Sequence, residues 1–337
     1  MKKILITGGA GFIGHHVIDY VLKNTDWNIV ALDRLDFSGN LNRLVEVVQE
    51  KDKKRVKTVF HDLKAEINPL VANFLDKPDI ILHLAAASHV DRSITHPLEF
   101  INDNIIGTAH ILEYARKLES LQKFLYFGTD EIFGAAPDGI AYKERDRYNS
   151  TNPYSASKAA GEELCVAYEN TYGLPLIVTH TMNVFGERQT PEKFIPMCIK
   201  KIHFGEKIFI HSNKEKTKAG SRFYIHASDV ADAIVFLLTG SAKCPADLGG
   251  ARSNKFNIVG KEEIDNLTLA ILIAKAQNKF LNYEMVDFHS SRPGHDLRYA
   301  LSGELMRSHG WEPRVSLTNR IEQVTEWSLK NPKWLNL

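Results

Sequence analysis

Short apolar runs with almost no polar interruption punctuate the first half of the chain. Ile4-Leu5-Ile6 is the first, and Ile29 to Leu32, Asp79 to Leu84, Phe124 to Phe127 and Leu176 to His180 follow, with Val56 to Phe60, interrupted by Lys57 and Thr58, third in chain order. Between them lie longer stretches with apolar residues at helical spacing. These predict helices over Phe12–Lys23, over Glu99–Leu118 with Gly107 as the one interruption, and over Tyr154–Tyr172. A strand with one solvated face alternates apolar and polar residues; runs without alternation belong to strands covered on both faces. Such strands alternating with helices predict an α/β protein, a Rossmann-type doubly wound parallel sheet. Ligands on such sheets bind at the carboxyl ends of the strands.

After Gly186 the texture changes. A helix is expected after Pro191-Glu192-Lys193, strands over Lys207–His211 and Arg222–Ile225, and a helix over Asp229–Leu238. The stretch Arg292-Pro293-Gly294-His295-Asp296 reads as a polar loop. This pattern divides the chain into a larger domain over 1–185 and a smaller one over 186–337, with 229–259 able to pack back on the first.

Bulk properties narrow the classes of function. The chain has 337 residues, 44% of them hydrophobic and 25% charged, with a formal net charge of +1. That is enough apolar material for a full core, and so balanced a charge argues against a nucleic-acid binder or a protein of anionic membrane surfaces. Cys165, Cys198 and Cys244 show neither paired nor metal-like spacing, which suggests reduced thiols in the cytoplasm. The first apolar run stops at Gly8-Gly9, too soon for a signal peptide, and no later run is long enough for a bilayer.

Candidate chemistry gathers at the predicted strand ends. Gly8, Gly11 and Gly14 follow the first strand and open the first helix through Phe12 and Ile13, the arrangement that lets a backbone and a helix N-terminus approach a pyrophosphate. Asp33 ends the second strand, where a carboxylate accepts hydrogen bonds from an adenosine ribose and repels a 2′-phosphate, so NAD is expected over NADP despite Arg34. Asp62 and Leu63 end the third strand, and Ala85 and Ala87 leave room at the end of the fourth. Asn104 projects from the long helix. Thr129, Asp130 and Glu131 follow the fifth strand. Tyr154 and Lys158 share a helix face, so that the ammonium can sit near the phenol and, with any further cation, favour phenolate. His83, His89 and His295 have no spacing that makes them metal ligands, and no metal is expected.

Gly8-Gly9-Ala10-Gly11-Phe12-Ile13-Gly14, Tyr154-x-x-x-Lys158 and the long second half together resemble extended short-chain dehydrogenases/reductases. Within these, Phe37 to Leu41, Ser88 to Ser93, Thr129-Asp130-Glu131, Pro153 to Ala159, Pro191 to Lys193 and Arg292 to Tyr299 resemble the nucleoside-diphosphate-glucose 4,6-dehydratases. The resemblance implies NAD, a dTDP- or UDP-glucose substrate and a homodimer through the two long helices. It implies that Tyr154, with Lys158 and Thr129, takes the proton of the 4-hydroxyl as carbon 4 is oxidised. Glu131 then removes the carbon-5 proton, Asp130 donates to the departing 6-hydroxyl, and the hydride returns to carbon 6. Ser88, His89, Asn183, Glu192, Lys193, Arg222, Arg292 and His295 are the implied substrate contacts. Phe223 stands where the family often has Asp, which touches the contacts to the base. A nucleotide-sugar epimerase or decarboxylase, or a non-catalytic NAD-sensing regulator on the same fold, remain as alternatives at this point.

Overall fold

The computed structural model describes residues 1–240, 242–243, 253–287 and 297–337. Among them, β1 (Lys3–Thr7), β2 (Asn28–Asp33), β3 (Val56–Phe60), β4 (Ile80–His83), β5 (Lys123–Thr129) and β6 (Leu176–Thr181) form one sheet with the strand Asn254–Ile258. The order is β3, β2, β1, β4, β5, β6, Asn254–Ile258, and every neighbouring pair is parallel. The chain winds outward in both directions from the β1–β4 pair, so a crevice opens at the carboxyl ends of those strands.

Side-chain alternation explains the unbroken apolar runs. Ile4 and Ile6 face a layer with Val17, Val21 and Ile234. Leu5 faces the other layer, with Val30, Ile81, Phe124, Ile111 and Cys165. Both faces of the strand are therefore dry. The third run is the exception: β3 is the sheet edge, only Val59 is buried, and Phe60 is 69% exposed.

The long helix predicted from Glu99 differs from expectation. It runs over 97–115, and its middle, Asn102–Ile106, is a π turn rather than a break at Gly107. The wider turn sets both Asp103 and Asn104 into the protein, where they are almost fully buried.

The second half contributes to both parts of the molecule. A separate core holds Ile195, Ile199, Ile210, Ile273 and Ile321, next to the paired strands Ile208–Ser212 and Tyr283–Asp287. The helix Ala227–Thr239 instead lies on the first helix, Phe12–Asn24, where Asp232 accepts from Tyr20 Oη and, at 2.9 Å, from Trp311 Nε1. The expected strand Arg222–Ile225 is split. Ser221–Phe223 pairs with Glu263–Asp265, and Ile225–His226 pairs with Val184–Phe185. Between them Gly260 lies so close to the Tyr224 carbonyl that a Cβ there would be 2.1 Å from the oxygen.

Candidate active site

The carboxyl ends of β1 to β6 open into one cavity of about 540 Å³ that reaches the second half of the chain. Gly8, Gly11, Phe12, Ile13, Gly14, Asp33, Asp62, Leu63, Ala85 and Ala87 line its first part. Thr129, Asp130, Glu131, Tyr154 and Lys158 line its middle, and Ser88, His89, Asn183, Glu192, Lys193 and Arg222 also face it. Arg292 and His295 lie outside the described residues.

The glycine turn is shaped for close approach. Gly8 has φ +71°, a left-handed conformation, and a Cβ on it would lie 3.0 Å from the Ala85 nitrogen. A Cβ on Gly14 would stand 2.2 Å from the Gly8 carbonyl oxygen. The helix that follows is capped by Gly11 with no side-chain hydrogen bond, leaving its first amide groups to a ligand. Asp33 accepts from the Ala10 and Leu35 nitrogens at 3.0 and 2.8 Å, which fixes the carboxylate at the cavity wall, and burial raises its pKa. These residues fit an NAD dinucleotide: an uncapped helix start for the pyrophosphate and an oriented acid for the ribose.

Two of the sequence expectations change here. Asn104 does not line the cavity. Its amide accepts from the Ala87 nitrogen at 2.8 Å and donates to the Ala87 oxygen and to Ser157 Oγ, so it braces the end of β4. Lys158 does not turn its ammonium onto the Tyr154 phenol. Nζ donates to the Phe127 carbonyl at 2.8 Å and sits 4.4 Å from the centre of the Tyr126 ring. A backbone acceptor on β5 is the partner within reach, and burial pulls this lysine down to about 8.

The acid–base centre follows from the end of β5. Thr129 is the last strand residue, and Asp130 and Glu131 begin a single 3-10 turn. The Thr129 hydroxyl donates to Asp130 Oδ1 at 3.1 Å, accepts from the Glu131 nitrogen and is bonded to Tyr154. Burial pushes Asp130 up to about 6, against a smaller opposing pull from Arg222. Glu131 is pushed up to about 7, by burial first and then by the charge of Asp130. The two acids therefore titrate as a coupled pair close to neutral pH. Burial, with the charge of Glu131, also holds the Tyr154 phenol above its ordinary value.

Neighbours give the two carboxyls different surroundings. Glu131 Oε2 accepts from Asn152 Nδ2 at 3.3 Å, a bond that favours the ionised acid. Asp130 Oδ2 is buried with no protein partner, the position a substrate oxygen would fill. Asn152 was not singled out in the sequence, although it caps the helix Pro153–Tyr172 in a reciprocal box with Ser155; an Asn before Pro is the visible signal. Arg43 was missed too. It is almost fully buried, lines the cavity and donates to the Ala10, Ser38 and Arg188 carbonyls. Arg222 lies 4.4 Å from the centre of the Tyr299 ring and donates to the Ser221 and Leu297 carbonyls.

His83 is bonded on both ring nitrogens, to Thr7 and to Thr108, and burial drives it down to about 3. It is a neutral strut under the cavity floor.

Residues 4–248 match the NAD dependent epimerase/dehydratase family. The chain is similar to the dTDP-glucose 4,6-dehydratase of Salmonella typhimurium, with 36% identity over 99% of this chain and 94% of that one. It is similar in structure to the dTDP-glucose 4,6-dehydratase of Streptomyces venezuelae solved with NAD bound: TM-score 0.86, 30% identity, 98% of each chain. A UDP-glucose 4-epimerase of Thermus thermophilus in complex with NAD superposes with TM-score 0.83 at 25% identity, over 96% of this chain and 98% of that one. The backbone alone thus accommodates more than one reaction.

Proposed function

The chain belongs to the NAD dependent epimerase/dehydratase family, and from that premise we propose that it is an NAD-dependent dTDP-glucose 4,6-dehydratase. Its reaction converts the nucleotide-linked glucose to the 4-keto-6-deoxy sugar and one water, as in deoxysugar biosynthesis. The observation that carries this reading is the pair Asp130 and Glu131, one buried and one partly buried carboxyl at the end of β5, both raised toward the neutral range beside Thr129 and Tyr154. An epimerase needs one base at carbon 4 and has no use for a second and third acid–base group. A dehydratase needs them for carbons 5 and 6.

NAD, held by the turn of Gly8, Gly11 and Gly14 and by Asp33, would supply the oxidising equivalent for carbon 4 and the reducing equivalent for carbon 6. Tyr154 takes the 4-hydroxyl proton, with Thr129 bonded to the same oxygen. Burial and the charge of Glu131 keep the Tyr154 phenol protonated in the free chain, so this step requires a cation beside it once the site is loaded. Glu131 in its ionised form, which the Asn152 bond favours and which burial and Asp130 oppose in the free chain, removes the proton on carbon 5 that the new ketone has acidified. Asp130 gives its proton to the 6-hydroxyl through the otherwise unpartnered Oδ2, and the hydroxyl leaves as water. Lys193 and Arg222 face this centre and bear on Glu131 through their charge, a placement suited to the diphosphate as well.

A homodimer through the long helices fits the exposed Leu98, Ile101 and Ile106 on the run 97–115 and is read by sedimentation of the purified protein. Among the described residues no helix is long and apolar enough to cross a membrane, and Cys165 and Cys198 are unpaired, which supports a cytoplasmic placement.

The deciding experiment is mass spectrometry of dTDP-glucose and UDP-glucose, each incubated with the protein in heavy water without added NAD. Loss of one water with one deuterium gained at carbon 5, faster for dTDP-glucose, is the expected result. No loss of mass from either, even with NAD added, would overturn the assignment.

A further inference from the structure

Arg34 follows Asp33 at the end of β2, on the wall of the cavity where a dinucleotide ribose is read. An arginine there is what accommodates a ribose 2′-phosphate in NADP-binding sheets. In this chain the guanidinium is already spent. Nη1 and Nη2 donate to the two oxygens of Asp103 at 2.6 and 2.7 Å, a bidentate fork. Nε donates to Asp36 at 2.7 Å, and Asp62 stands 3.7 Å from Nη1.

Asp103 reaches Arg34 because of the π turn. Its side chain is only 4% exposed, set inward from Asn102–Ile106, while Asn104, next in sequence, braces Ala87. One wide turn thus serves two strand ends. The surroundings stay acidic after the pairing: Asp33, Asp36, Asp62 and Asp103 outnumber Arg34 and Lys64 around this corner, and Arg43 directs its hydrogen bonds to carbonyl groups.

We propose that Asp103 is a specificity-determining residue for the cofactor: by holding Arg34 in a bidentate pair it denies the guanidinium to a 2′-phosphate and keeps the chain on NAD. Asp33 repels the phosphate directly, and Asp103 engages the guanidinium that follows Asp33 in the chain. The inference rests on the NAD reading above.

The test is competitive loading. Wild type, Asp103→Ala, Asp103→Asn and the double variant Asp103→Ala with Arg34→Ala are equilibrated with equal NAD and NADP. The protein-bound dinucleotide is then released and quantified by mass spectrometry. Freeing Arg34 raises the bound NADP-to-NAD ratio roughly tenfold in both single variants, the scale of one charge-assisted pair. The double variant returns to the wild-type ratio or below it. An unchanged ratio in both single variants while NAD still binds, or a rise that survives removal of Arg34, overturns the proposal. A wild type that takes up neither dinucleotide overturns the NAD reading itself.

Discussion

Replacing Asp130 by asparagine keeps the shape of the side chain and removes both its proton and its charge. Loss of the acid proton slows dehydration by about 10²- to 10⁴-fold, the usual contribution of a positioned acid. The loss of charge acts on Glu131, which stands at about 7 against an ordinary 4.5 because of burial first and Asp130 second. Burial persists in the variant, so the Glu131 titration moves down by about one pH unit and does not return to the ordinary range. Glu131 works as a base only when ionised, so proton removal fails as pH falls through its pKa. A lower pKa therefore carries that acidic limb to lower pH. The assay is deuterium incorporation at carbon 5 of recovered substrate in heavy water, followed from about pH 5 to about pH 8. An acidic limb that stays in place or moves to higher pH in Asp130→Asn would refute the coupling of the two carboxyls.

Three further outcomes follow from the geometry. In Gly14→Ala the new Cβ meets the Gly8 carbonyl oxygen and the Gly9 Cα, at 2.2 and 2.9 Å, and backbone cannot yield cheaply. Stability falls by about 1–3 kcal/mol in thermal unfolding and less dinucleotide co-purifies. Lys158→Met keeps an apolar stem but loses the donor to Phe127, so activity falls about 100-fold or more while the unfolding midpoint changes little. His16 is buried and pushed down to about 3, by burial first and then His226. Its folded-state pKa lies below the unfolded one, so the stability tied to its neutral form is intact above 6.5 and drains away as pH falls toward 3. That is about 1.4 kcal/mol per pH unit, and His16→Gln flattens the slope of urea-unfolding stability against pH across that window.

What the sequence determined by itself was set by local rules. The unbroken runs at Ile4, Ile29, Ile80 and Phe124 mark strands, since only a strand dry on both faces tolerates them, and the sheet is parallel as that requires. The glycines at 8, 11 and 14, the acid at 33 and the pair Tyr154 and Lys158 were legible because turn geometry and helix spacing fix their positions without reference to distant chain. Their convergence on strand ends follows from the winding of the sheet.

Other features belong to tertiary contact alone. The run 97–115 reads as plain helix, and nothing in its apolar period announces a π turn; the turn accompanies partners that Asp103 and Asn104 find in the segments following β2 and β4, Arg34 and Ala87. The same is true of Lys158, whose spacing from Tyr154 is right but whose ammonium answers to a carbonyl of β5. The edge strand Asn254–Ile258 joins the sheet beside β6 from far along the chain, and β3 looks like an interior strand until its neighbour is seen to be missing. Finally, the raised pKa values of Asp130 and Glu131 are properties of burial and of each other. Composition could place two acids side by side, but only the packed end of β5 could take water away from them.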